Sequence, residues 1–239
     1  MATVQLPDGS EKTYTSPCTV QQVAESINSR LAKTAIAGKI DDTVVGLDTT
    51  LPEDSICRIQ ILTNKDPEAL DVMRHSCAHV MARAIMRLFP GVQLAFGPTT
   101  EEGFYYDFDL QHALSDDDFP AIEAEMKRLV ELDETFERIE KDRESAIEVC
   151  GDLKQTLKVE HVKDGFAEHD QVSFYQNGEF LALCDGPHVK SAAAIGAFKL
   201  LSVADAYWKG DPSRQQLQRV YATAFFTTKE LDEHLGRIE

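Results

Sequence analysis

Residues 75–79 are HSCAH, and residues 184–188 are CDGPH. Each stretch carries two nitrogen or sulfur side chains four positions apart. On a helix, that spacing puts His75 and His79 on one face, a turn apart, so both imidazoles can reach a single point. Gly186 and Pro187 separate Cys184 from His188. Proline disfavours helix at the residue before it, and glycine lets the backbone turn, so the second pair belongs in a loop. Together the four side chains supply N, N, S and N: a tetrahedral zinc set or a polar hydrolytic pocket. They are equally compatible with four unrelated, partly buried core residues. The spacing alone leaves these alternatives open.

The elements that must position them follow from local pattern. Asp66-Pro67 is a helix-start signal, and Pro90-Gly91 is a stop. Between them Leu70, Met73, Cys77, Val80, Met81, Ala84, Ile85 and Leu88 form an apolar stripe, which predicts one long helix carrying both histidines. Cys77 lies about 200° round from His75 and should face the core. The runs at 92–98 and 103–110 predict a hairpin joined by PTTEE. Ser115 should open a second long helix, and 143–150 should be helical again. The run 172–184 predicts a hairpin about Asn177-Gly178, bringing Cys184 to the end of a strand. Residues 216–225 alternate as a further strand, and a charged helix begins near 228. Ahead of all this, a hairpin about Pro7-Asp8-Gly9, a helix capped by Thr19 and strands at 35–40, 43–47 and 57–62 make a small β-grasp domain.

The totals restrict the function classes. The chain has 239 residues and is 43% hydrophobic, enough for one large domain or two smaller ones. No run approaches the roughly 18 apolar residues of a membrane span, and no basic segment precedes an apolar one at the N-terminus. Five scattered cysteines argue against a disulfide framework and for a reducing cytoplasm. The net charge of −17 argues against a general nucleic-acid binder. The charge is uneven, however. Residues 101–150 hold 17 acids and 5 bases, whereas 186–219 hold Lys190, Lys199, Lys209, Arg214 and Arg219 against Asp205 and Asp211. That basic segment is a candidate for local RNA contact.

HSCAH, FGPTTEEGFYYDFD at 96–109 and CDGPH in combination resemble the editing domain of threonyl-tRNA synthetases, and the related alanyl enzymes have a similar histidine and cysteine set. The stretch from LPDGS to residue 62 resembles the TGS domain that precedes it. The resemblance implies an α+β protein: a β-grasp (TGS) domain at 1–62, then an α/β editing (second additional, SAD) domain at 63–227 with a long helix packed on an antiparallel sheet. Residues 228–239 would begin a linker helix toward catalytic and anticodon-binding domains that this chain lacks.

The resemblance further implies an aminoacyl-tRNA ester hydrolase, a component of a threonine–tRNA ligase. A pocket distinguishes threonine from serine by one methyl, worth only ~1–3 kcal/mol, so a second site must remove misattached serine. Its catalytic residues would be His75, His79, Lys158, Cys184 and His188, with Gly97, Tyr106, Ala182 and Asp185 at the substrate. Ala182 is a departure, since the family usually has Asp there; Asp185 is the nearest carboxylate in sequence. By pattern alone Lys158 is an exposed strand lysine, Tyr106 a hairpin aromatic and Gly97 a turn glycine before Pro98. No cofactor is required for editing. Zinc on His75, His79, Cys184 and His188 is the open alternative, and ATP and the catalytic-domain zinc would belong only to a full-length enzyme. The implied partner is the acceptor end of tRNA(Thr) carrying serine, with no DNA and no membrane. The implied location is the cytoplasm, and the implied state is a monomer for this piece and a dimer for the full enzyme. A competing class is a non-catalytic tRNA-binding or regulatory module whose pocket has decayed, as Ala182 would suggest.

Overall fold

The computed structural model describes residues 1–166 and 171–238, so Glu239 of the expected C-terminal helix lies outside the described residues. The chain divides into two compact units, one of residues 1–73 with 186–190 and one of residues 74–185 with 191–239.

In the first unit, β1 (Ala2–Gln5) and β2 (Glu11–Tyr14) form the expected hairpin. The Asp8 carboxylate accepts from the Ser10 amide at the turn. Helix α1 (Val20–Ile27) starts at Thr19, whose hydroxyl accepts from the Gln22 amide while the Gln22 side chain accepts from the Thr19 amide, a reciprocal cap. A short α2 (Ser29–Thr34) follows at once, capped by Asn28. Then come β3 (Ala35–Ile40), β4 (Thr43–Val45) and β5 (Ile56–Thr63). The strand order is β2-β1-β5-β3-β4, with β1 and β5 parallel and the other pairs antiparallel. Val20 and Val23 of α1 pack with Val4, Cys57 and Ile59 of the sheet. This is the β-grasp arrangement expected from the pattern.

The long helix α3 spans Pro67–Leu88, with Cys77 fully buried. The Asp66 carboxylate accepts from the amide and hydroxyl of Thr63. After α3 come β6 (Gln93–Leu94) and β7 (Phe104–Asp109), paired antiparallel. The expectation at Ser115 needs correction. A 3-10 turn over Asp116–Asp118 intervenes, with the Ser115 amide bonded to Asp118, and α4 (Phe119–Glu131) starts at Phe119. β8 (Glu137–Asp142), α5 (Arg143–Asp152), α6 (Thr156–Gly165), β9 (Gln171–Asn177) and β10 (Phe180–Leu183) follow. The unit closes with β11 (Ala197–Tyr207), β12 (Gln216–Phe225) and α7 (Thr228–Ile238).

The class is α+β as expected, but the second unit has two antiparallel sheets rather than one: β11-β12-β7-β6 and β10-β9-β8. Helix α3 touches both. Arg74 donates to the Ala224 carbonyl of β12, while residues further along the helix meet β9 and β10.

Candidate functional site

Three residues of α3, each four apart, meet the β9–β10 hairpin along one face. Arg83 Nη1 donates to Asn177 Oδ1 at 2.9 Å. The His79 ring stands edge-on to Phe180, with centroids 5.6 Å apart. His75 Nε2 lies 3.3 Å from Cys184 Sγ, within hydrogen-bond reach. Alternation explains the hairpin's half of these contacts. Phe180 and Ala182 share one side of β10, and Cys184 continues it, while Leu181 and Leu183 point the other way. Asn177 and Tyr175 are the cross-strand partners of Phe180 and Ala182. The Cys184 amide extends the ladder by donating to the Ser173 carbonyl, and the Ser173 hydroxyl donates to the Cys184 carbonyl at 2.8 Å.

Within the second unit, the ligand atoms of His75, His79 and Cys184 lie within 4.8 Å of one another. The two histidine rings of α3 stand nearly perpendicular, centroids 5.2 Å apart. Burial, then the neighbouring His75 and Lys158, hold His79 well below the usual imidazole range, so it is a neutral base or ligand.

Lys158 overturns its local reading. It lies on α6, not on a strand, and is 3% exposed. Its helix is fixed from β6, where Gln155 accepts from the Leu94 amide and the Thr156 amide donates to the Gln93 side chain. The Lys158 ammonium sits 3.6 Å from the Phe96 ring centroid, a cation–π contact. Burial pulls its pKa down to about 7, an effect that the Cys184 and Cys150 side chains offset in part when ionised. A lysine poised there changes charge near neutrality, as active-site lysines do.

Gly97 and Tyr106 are neighbours. A Cβ on Gly97 would come 2.2 Å from Tyr106 Cδ2, so only glycine allows the buried tyrosine ring this position. Asp185 is bonded to the Ser173 hydroxyl at 3.1 Å. Ala182 is buried on the face that Phe180 and Cys184 share. The basic segment, in contrast, is largely neutralised. Lys199 pairs with Glu123, Lys209 with Asp164, Arg214 with Glu160 and Arg219 with Asp107. Sequence reasoning missed Arg83, Phe96 and Ser173. For Arg83 a signal existed: it continues the His75–His79 spacing by one more turn.

Residues 2–63 match the TGS domain, and residues 172–221 match the second additional domain of threonyl and alanyl tRNA synthetases. Over these two stretches the chain is similar to a TGS domain and to the second additional domain of threonyl and alanyl tRNA synthetases. Along nearly all its length it is similar to proteins named threonine–tRNA ligase. It is 52% identical over 240 residues to that of Rhodopirellula baltica, covering 99% of this chain and 32% of the relative. It is 45% identical over 236 residues to that of Geobacillus kaustophilus, covering 99% and 36%. The Coxiella burnetii protein is 43% identical over 239 residues, covering 100% and 36%. The chain thus spans about a third of the length of the curated relatives it matches.

Proposed function

We propose that the chain hydrolyses the ester joining serine to the terminal ribose of tRNA(Thr), as the editing component of a threonine–tRNA ligase. The observation that carries this is the apposition of His75 and Cys184, 3.3 Å apart, beside a histidine held neutral and a buried lysine. Water adds to the ester carbonyl, its oxygen bonding to carbon while a proton passes to an imidazole. The tetrahedral oxyanion needs a cation or hydrogen-bond donors, a role suited to Lys158 in its protonated form. The C–O bond to the ribose then breaks, and the ribose oxygen leaves as a hydroxyl after taking a proton. No serine or cysteine nucleophile is needed, and Cys184 acts as a wall and hydrogen-bonding group. The Gly97–Tyr106 contact supplies a close-packed boundary of the kind that excludes a larger acyl group.

His75, His79, Cys184 and His188 also form a donor set of three imidazoles and one thiol that suits zinc. His75, His79 and Cys184 already bring their donor atoms within 4.8 Å of one another. Held by three of the four side chains, zinc would leave a position for the attacking water and polarise it; held by all four, it would be a closed structural site. The His79 pKa direction is compatible with either case, because a neutral imidazole is also the metal-binding form.

The test is deacylation of seryl-tRNA(Thr) by the full chain. His75→Ala should slow it by about 100-fold or more, the usual scale for a positioned acid–base group. Metal analysis of chelator-treated protein, with activity measured in parallel, separates the two chemistries. A second reading, a tRNA-binding module without hydrolysis, is favoured by Ala182, which leaves that buried position without a carboxylate. It prevails if the wild type binds tRNA yet hydrolyses seryl-tRNA no faster than buffer does.

A further inference from the structure

Arg83 is a charged side chain in a helix interior, only 1% exposed, and the site chemistry above makes no use of it. Its guanidinium binds the Asn177 side-chain oxygen, Glu134 at 2.6 Å and Glu179, which in turn binds Arg87 one turn further along α3. The turn is shaped to receive it. Gly178 has φ +57, and a Cβ there would fall 2.2 Å from Arg83 Nη2. Asn177 completes the anchor by donating to the carbonyls of Glu134 and Thr135.

This anchor and the reactive pair lie at opposite ends of one helix–hairpin contact. From Arg83 back to His75 is eight residues of helix, about 12 Å. From Phe180 to Cys184 is four residues of strand, about 13 Å. The grip at the turn and the His75–Cys184 pair are thus the two ends of the contact, and holding one end constrains which hairpin residue arrives at the other.

We propose that Arg83 is a positioning residue: its grip on the Asn177–Glu179 turn fixes the register of the hairpin on α3 and thereby holds Cys184 against His75. This deepens the hydrolase reading and rests on it for the kinetic consequence; the geometric consequence stands independently. Two measurements on the full chain test it. The first is seryl-tRNA hydrolysis, resolved into kcat and KM. The second is the alkylation rate of Cys184 by iodoacetamide at fixed pH, a clean readout because the other four cysteines are buried. In Arg83→Gln, kcat should fall at least tenfold with KM within twofold, and Cys184 alkylation should change at least threefold. Arg83→Lys, which keeps the charge but not the fork, should recover part of both. Should Arg83→Gln fail to fold, Glu179→Gln, on the half-exposed turn, should move both readouts in the same direction. Ile122→Val, a core change on α4, controls for stability loss and should move neither. Folded Arg83 and Glu179 variants with wild-type kcat and wild-type alkylation overturn the proposal. If the wild type does not hydrolyse seryl-tRNA, the alkylation arm decides alone, and an unchanged rate there overturns it.

Discussion

Lys158 is a cation placed where water is scarce, and that has a measurable cost. Its folded pKa of about 7 lies below the ~10.4 of an unfolded lysine. Between those values the unfolded chain holds the extra proton, so the free energy of unfolding rises with pH across that window, and the penalty is felt in full below about pH 7. Lys158→Met should therefore melt higher than wild type at pH 7, and the gap should narrow by pH 10, even as hydrolysis is lost. A gap that stays constant with pH would contradict this account. Gly97→Ala should destabilise by about 1–3 kcal/mol through the clash with Tyr106, measured as a lower urea midpoint. The histidines and Cys184 were legible as a candidate group because their spacing matches helix and loop geometry. Lys158 was not. Nothing in the residues around it signals burial; that comes from Phe96 and the Gln155 and Gln93 bonds, all more than sixty residues away or set by distant strands.

At the level of elements, the contact between α3 and the β9–β10 hairpin decides the geometry of the site. Removing the arginine from this contact leaves Asn177, Glu134 and Glu179 facing a void. Arg83→Ala should cost about 2–3 kcal/mol, read from urea unfolding, through the space it leaves and the lost partner of the buried Asn177 amide, while the two partly exposed carboxylates return to water. The long helix was legible from its apolar stripe and its Pro-Gly stop. The 172–184 hairpin was legible from its Asn-Gly turn and flanking β-formers. β8 was not, and the reason is physical. Its sequence ERIEKD has one apolar residue and is largely exposed, so it carries almost no alternation signal. It is a strand because six of its residues pair with β9. The second sheet was missed with it, which is why one sheet was expected where there are two.

For the whole molecule, charge sets the terms of any encounter with tRNA. The net charge is −17, and four of the five cations in 186–219 are paired with carboxylates. If tRNA docks through that segment, its binding should therefore show a log–log salt slope shallower than about −2, since few of the segment's cations remain to displace counterions. A slope near −5 would point to a basic surface assembled in some other way. β1 begins at Ala2, yet it lies inside the sheet, flanked by β2 and by the parallel β5, with Ala2 and Val4 fully buried. Trimming half a dozen residues from the amino end would thus excise an interior strand rather than a tail, and a purification tag fused there would hang one residue away from packed backbone.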